Sequence, residues 1–561
     1  MLLVAVGCAD SASDVADAGT LDATDPVGSA GLIERLAAAR TAGNLVVGVT
    51  QDADGNHVVR FEEGTDLIIR AGVVRNVDVR SEAWNVRFEL ADGTRADAGY
   101  LGQDVPIAST DILVDPFGTA PLSALLWVTL PVETGISIRV HGQDGMASDW
   151  ELPAGEYTAL HARPIVGLYP DTTNQVTLSL TRRDGTVRRS KTLTLLTGPL
   201  PAGVPKFVVR TPYAVPERNV GFLVNYRPLY YPLLADAFGK VRWMLVSPEA
   251  GERRGMQQLA NGLFGYASIR DNAIRVYSWD GLLLQDLPLP APWERPHHDV
   301  FELPNGNLLV TVEETGAATI GDIIIEMDRA SGQVVQVWDL KDALPQDYVD
   351  LYLDPRDWVH VNGVVYDARD DAIIISARPF GIIKLTRDNQ VVWVLGRPGW
   401  PADLQARVLS LAPGSETVWG QHAPELTPNG NVMVFDNGFG RDYGAAPQFS
   451  RMVEFAIDEA NLTATQVFEY GRDRPELFSP IVSDVDTLAS GNRLMVSGAT
   501  TRISTYVDPT QVSATWADDE RVKAWIIEVD PSGQPVFEMT VETEGIANGS
   551  VYRAEKLVLT P

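Results

Sequence analysis

One local pattern recurs along the second half of the chain and limits what that half can fold into. "NGNLLVTV" (305–312), "DDAIIISA" (370–377), "NGNVMVFD" (429–436) and "SGNRLMVS" (490–497) each run from a polar turn straight into an apolar strand. A hairpin follows each of them: "DIIIEMDRASGQVVQVWDL", "GIIKLTRDNQVVWVLG", "MVEFAIDEANLTATQVFEYG" and "AWIIEVDPSGQPVFEMTVE". Two further hairpins precede the series, "GFLVNYRPLYYPLLADAFGKVRWMLV" and "AIRVYSWDGLLLQDLPL". Six hairpins imply six four-stranded units, and radial repetition of such units is a β-propeller. The spacing, roughly 60 residues, exceeds the ~40–45 of common propeller repeats, so the surplus lies in loops, where binding sites are built.

The 561 residues are too many for one core. The fold class expected is all-β, a six-bladed propeller over residues 206–561 preceded by a β-sandwich-like domain over 31–205. In that first domain, runs such as "QVTLSLTRRDGTVRRSKTLTLLTG" alternate apolar and polar residues around Asp-Gly turns. A short helix is expected at 31–42, "GLIERLAAARTA", and "GPLPAGVPKF" reads as the linker. Residues 1–30 are rich in Ala, Ser, Asp and Gly and read as an acidic tether. "MLLVAVGCAD" resembles the end of a bacterial lipoprotein signal, with Cys8 the lipidated residue, so an exported, periplasmic, membrane-anchored protein is expected. No stretch reaches the ~18 apolar residues of a membrane span. The net charge of −29 argues against nucleic acid and anionic membranes as partners. A single cysteine excludes an intrachain disulfide and a cysteine-based metal site.

Histidine is scarce, seven in the whole chain, yet four lie in three successive repeats. His298 and His422 stand ten positions before equivalent strand starts, and Asp484 takes that place in the next repeat. His360 lies 13 before Ile373, which fits a turn three residues longer. The intervals His298 to His360 and His360 to His422 are both 62 residues. Innermost strands of a propeller face the central channel, so the three imidazoles should converge on the axis. Asn362, two residues beyond His360, should share its strand face. Arg378 follows a buried strand, where a cation is costly unless paired or facing a polar channel. His297 adjoins His298, Asn437 is the weaker repeat counterpart of Arg378, and Thr500 and Thr501 follow the corresponding strand of the next repeat. His57, His141 and His161 fall in the amino-terminal strands and read as surface or packing residues.

Three chemistries fit this constellation. Histidine at equivalent blade positions can be purely structural, leaving a propeller that binds partners without catalysis. Three imidazoles suit zinc or iron, but an arginine beside them repels a cation. Arginine, cationic imidazole and an amide can instead hold the oxygens of a sulfuryl or phosphoryl group while a neutral imidazole attacks it. No glycine-rich phosphate loop is present, so neither a nucleotide donor nor a cofactor is expected, and no metal site is assigned.

The motifs "HHDVFELPNGN", "DWVHVNGVVYD" with "SARPFGIIKL", "GQHAPELTPNGN" and the closing "YRAEKLVL" together resemble the bacterial aryl-sulfate sulfotransferases that use no nucleotide sulfate donor. The resemblance covers most of the chain and implies ping-pong transfer of a sulfuryl group from an aryl sulfate to a phenol. It implies His422 as the nucleophile that becomes sulfated. It implies His298, His360, Asn362 and Arg378 as groups that bind the sulfuryl oxygens or move protons, with a threonine, Thr500 or Thr501, contributing from a later blade. A homodimer is implied as well. An aromatic residue near the mouth, Trp358 or Phe439, is expected to stack on the aryl ring.

Overall fold

The computed structural model describes residues 29–558, apart from 43, 81–84, 100–104, 106, 184, 228, 230, 247–252, 347–354, 398, 445, 502–520 and 544–548. Cys8 and nearly all of the acidic tether lie outside the described residues.

The chain opens with the expected helix, Ser29–Thr41, followed by two three-stranded antiparallel sheets, Val46–Gln51 to Leu67–Ile69 and Val74–Arg80 to Arg95–Gly99. Leu32 and Leu36 of the helix bury against Val46, Val59, Ile69, Val86 and Phe88, which gives this small unit a core of its own. The sandwich that follows is built on one long strand, Ser123–Val140. Its first half pairs with Thr158–Val166 and Ile112–Val114. Its second half pairs with Thr173–Thr181 and Trp150–Leu152. A single strand thus serves two pairings, and the amino-terminal region divides into two units with separate cores.

Six sheets make up the remainder. Blade 2 is Arg253–Gln258 to Leu283–Pro288, blade 3 Val300–Glu302 to Val334–Asp339, and blade 4 Val361–Asp367 to Val391–Gly396. Blade 5 runs from His422–Leu426 to Thr463–Tyr470 and blade 6 from Asp484–Thr487 to Pro535–Glu542. Blade 1 takes its innermost strand from the far end of the chain: Val551–Val558 pairs with Val220–Tyr226. Blade 6 takes an extra outer strand from the start of the domain, Lys206–Thr211 against Pro535–Glu542. Each innermost strand touches the innermost strands of the next and previous blades, and the six contacts close into a cycle. That cycle is a closed six-bladed propeller.

Burial follows position in the blade. Central strands such as Ile323–Met327 and Ala372–Ala377 are buried throughout and mostly apolar, with Glu326 and Ser376 their polar members. Outer strands such as Val391–Gly396 are half-exposed. The seams hold the cores: Leu309, Ile324 and Trp338 pack with Ile373, Ile375 and Ile383 between blades 3 and 4. Met433, Phe435 and Met452 pack with Met495 and Ile527 between blades 5 and 6. Apolar area removed from water at ~25 cal/mol per Å² makes these seams the main cohesive force of the ring.

The sandwich is fastened to blade 1 by Arg242, which has no exposed surface. Its guanidinium donates to Gly167 O at 2.8 Å, Ser148 O at 3.1 Å, the Tyr169 hydroxyl at 3.0 Å and Asp236 Oδ2 at 2.9 Å. It lies over the rings of Trp150 and Tyr169, 4.7 and 4.0 Å from their centroids. Around it, Leu126, Ile138 and Leu178 of the sandwich share one apolar cluster with Trp243, Phe264 and Tyr226 of the propeller. Burial pushes the Asp236 carboxyl up and Arg242 opposes that shift. Replacing Arg242 with Leu removes the partner of a buried carboxylate, and a loss of about 3–5 kcal/mol in unfolding free energy is expected by urea denaturation.

Candidate active site

The chain passes through a left-handed residue at or near the start of five innermost strands: Gly255 (φ 56°), His298 (φ 52°), His360 (φ 42°), Ala423 (φ 50°) and Ser483 (φ 94°). Such a conformation costs a residue with a side chain about 1–2 kcal/mol. Three of the five strand starts carry a candidate histidine at or beside that residue.

The imidazoles of blades 3 and 4 meet directly. The His298 and His360 rings lie 4.6 Å apart between centroids, edge to face. Tyr552 of the closing strand stands 6.1 Å from the His298 ring. His297 is buried, and its Nδ1 is 2.7 Å from His298 Nδ1, so one of the two nitrogens donates a proton to the other. His360 Nδ1 donates to Asp357 Oδ2 at 2.6 Å.

His422 is 3% exposed. Its Nδ1 lies 2.8 Å from Asn437 Oδ1. The Asn437 amide nitrogen donates to Ser479 O at 2.7 Å and Val482 O at 2.9 Å, which fixes the orientation of that amide. A carbonyl oxygen only accepts, so the His422 proton sits on Nδ1 and the Nε2 lone pair is available. Burial holds His422 well below the usual histidine range, and the charges of Arg378 and His360 push it the same way. The ring is therefore neutral at pH 7. Gln421, immediately before it, donates to Ala377 O at 3.1 Å and Gly381 O at 2.9 Å, which ties this part of blade 5 to blade 4.

Arg378 is buried, its guanidinium 4.9 Å from the centroid of the Phe439 ring, and it donates to Pro480 O at 3.0 Å. Asn362 occupies a bulge in the innermost strand of blade 4 and donates to Gln421 O at 2.8 Å. Thr501 N donates to Phe478 O at 3.0 Å, which sets it beside the 478–482 turn that also receives Arg378 and Asn437. The Thr500 hydroxyl donates to Val522 O at 3.3 Å, within blade 6.

Several details differ from the sequence expectation. His422 faces Phe435, three residues beyond Val432, and Asp484 faces Val496, three residues beyond Arg493, so Asp484 stands in blade 6 where His422 stands in blade 5, and the strand start in blade 6 is Arg493 where the sequence suggests Leu494. The turn of blade 4, residues 368–371, is short; the 13-residue interval before Ile373 arises from a longer inner strand with the bulge at Asn362. Because His360 is left-handed and Asn362 is bulged, the two do not follow the simple i, i+2 rule. Trp358 is not an aryl platform: it packs on Phe380 at 5.7 Å and donates to Asp322 Oδ2 at 3.0 Å. Phe439 is fully buried against Arg378, so it supports the guanidinium.

Further along the same inner strands lies an acidic belt. Arg553 Nη1 is 2.9 Å from Asp299 Oδ1, and its Nε is 3.7 Å from Asp484 Oδ2. Glu425 accepts from Thr487 N and Oγ1 at 2.8 and 3.0 Å. Burial pushes Asp484 and Asp486 well above the usual carboxylate range and raises Glu425 and Glu555 to about 7. Elsewhere, Asp367, Asp370 and Glu459 lie close enough together to hold a cation, and the Lys384 ammonium already occupies their centre, 2.7 to 2.9 Å from each.

The family model described as "Arylsulfotransferase (ASST)" matches residues 216–553, more than half of the chain. This chain belongs to the arylsulfotransferase family. The family's Ig-like domain model matches residues 111–198, the sandwich built on Ser123–Val140. Arylsulfate sulfotransferase AssT of Escherichia coli O6:H1 is 26% identical over 552 residues, covering 77% of this chain and 90% of that relative. The enzyme of the same name from Lelliottia amnigena is 27% identical over 497 residues, covering 67% and 82%. Among solved structures, a protein of unknown function from Bacteroides caccae is 12% identical, covers 60% of this chain and 98% of that one, and has a TM-score of 0.39.

The acidic belt sets the pH dependence of stability for this arylsulfotransferase. Carboxyls raised in the folded state hold more protons than the unfolded chain between about pH 4 and pH 7. Their contribution is full below the unfolded value and is lost as pH rises through about 7. His422, His57 and His161, all lowered by burial, act in the opposite sense below the ordinary histidine value, and the belt outweighs them above it. The thermal midpoint should be higher at about pH 5.5 than at about pH 8, and Glu425→Gln or Glu555→Gln should narrow the difference in differential scanning fluorimetry.

Proposed function

We propose that this protein transfers a sulfuryl group from an aryl sulfate ester to a phenolic acceptor in two steps, through a sulfohistidine at His422. The observation that carries this reading is the neutral, tautomer-locked His422 beside the buried Arg378 guanidinium. A cation at that place favours an anionic substrate and opposes a metal ion.

In the first step His422 Nε2 attacks sulfur. An N–S bond forms, the S–O bond to the aryl group breaks, and the electron pair leaves on the phenolate oxygen. Arg378 and the second amide N–H of Asn362 offset charge on the sulfuryl oxygens, as guanidinium and amide donors do in phosphoryl transfer. His298, held from behind by His297, adds a third contact, and Thr501 borders the site from the side of the 478–482 turn. His360 gives its Nε2 proton to the departing oxygen. In the second step the acceptor phenol returns a proton to His360 as its oxygen attacks sulfur, and the N–S bond breaks. Asn437 keeps the His422 proton on Nδ1 throughout, so the same nitrogen serves both steps.

Mixing the enzyme with an aryl sulfate and no acceptor should add the mass of one sulfuryl group, lost again on addition of phenol and mapped by peptide fragmentation to His422. His422→Ala should lower phenol release by roughly 10⁴-fold or more, and Arg378→Ala by about 10²–10³-fold. Retained turnover in the His422 variant, or a sulfuryl group on another residue, overturns the mechanism.

A further inference from the structure

The three histidines differ in what faces Nδ1. At His422 it is an amide oxygen, which fixes the tautomer and carries no charge. At His298 it is another imidazole. At His360 it is the carboxylate of Asp357, 2.6 Å away. We infer that Asp357 is the positioning residue that makes His360 the proton donor and acceptor of this site. It turns Nε2 toward the aryl oxygen and offsets the positive charge the ring carries when both nitrogens are protonated.

The carboxylate is held in place from several sides. Ile320 N donates to Arg356 O and Val361 N to Gly321 O, both at 2.9 Å, so the segment 356–361 is bracketed by the loop leading into blade 3's third strand. Trp358, one residue on, anchors in the core through its bond to Asp322. Gly321 has φ +70°, and a Cβ there would lie 2.8 Å from Asp357 Oδ1. The close approach of the carboxylate thus depends on a glycine that also suits the left-handed backbone. Among the described residues Glu313 also faces Asp357, and its carboxylate is paired with Arg295 at 3.1 Å. His360 in turn faces His298 and His422. The arrangement repeats the carboxylate–imidazole logic of hydrolytic triads, here serving a proton-transfer histidine in place of the base of a serine.

The inference rests on the proposed role of His360, and the experiment separates the two. The full chain and its Asp357→Asn and His360→Gln variants would be assayed with aryl sulfates whose phenols range from acidic (para-nitrophenol) to weakly acidic (phenol, alkylphenols). A good leaving group needs little protonation, so the Asp357→Asn variant should lose about tenfold in kcat/KM with para-nitrophenyl sulfate and about 10²–10³-fold with phenyl sulfate. The plot of log kcat/KM against leaving-group pKa should steepen. His360→Gln should steepen it likewise, and Asp357→Glu should restore part of the shallow slope. Gly321→Ala, which displaces the carboxylate while leaving its charge, should steepen it too and serves as the test if Asp357→Asn does not fold. Steepening in His360→Gln with none in Asp357→Asn or Gly321→Ala overturns the role of Asp357 and leaves the proposed function standing. An equal loss for all donors in Asp357→Asn also overturns it, because a purely structural defect has no preference among leaving groups. No steepening in His360→Gln removes His360 as proton donor and Asp357 with it, while the sulfuryl adduct on His422 is judged separately by mass.

Discussion

Ring closure is the constraint on which the rest of the molecule depends. A row of sheets packed face to face has two open ends, each with an unpaired inner edge and an uncovered apolar face. Here both ends are used up by exchange: Lys206–Thr211 completes the outer side of blade 6, and Val551–Val558 completes the inner side of blade 1. Phe537 of blade 6 records the first exchange, stacked on Tyr213 at 4.4 Å and on Phe222 of blade 1 at 5.0 Å. The second exchange carries chemistry as well as cohesion. Tyr552 reaches the His298 ring from the closing strand, and Arg553 gathers Asp299 of blade 3 and Asp484 of blade 6 around the channel.

Once the ring is closed, the same scaffold position in successive blades delivers like side chains to one place, and difference among them must come from their partners. Burial keeps the His422 ring neutral, and the amide behind it leaves the outer nitrogen bare. A carboxylate behind His360 suits a ring that takes up and releases a proton. Imidazole against imidazole at His297 and His298 holds a third group in register. Separating the proton inventories of chemically identical residues through their environment is how one site supports both attack and protonation near neutral pH.

Much of this was legible in the sequence, and the reasons are local. Turn chemistry followed by apolar runs marks strands, and the recurrence of turn plus strand counted the blades. The even 62-residue spacing placed His298, His360 and His422 on corresponding strands. Registers and long-range pairings were less legible. Arg493 and Leu494 both look like strand starts, and only the pairing of Thr487 with Arg493 decides between them. A bulge leaves no sequence signal at Asn362, and so the 13-residue interval read as a long turn. Trp358, between two polar motifs, looked like a binding-site aromatic, whereas its indole N–H finds Asp322 in the core. Asp357 stands three residues before His360 in "DWVH", close enough to notice, but its contact with the ring depends on a left-handed turn that composition does not announce.

The origin of the closing strand has a consequence for biosynthesis. A chain made from its amino terminus presents five blades with their own inner strands before Val551–Val558 can join the first. Domains fold as they emerge, at about 5–20 residues per second, so the partial ring waits tens of seconds with blade 1 lacking its channel-facing strand. During that interval His298, His360 and His422 are already synthesised, yet Tyr552 and Arg553 are missing from their surroundings. The ring and the surroundings of the histidines are thus completed together, when Val551–Val558 pairs with blade 1.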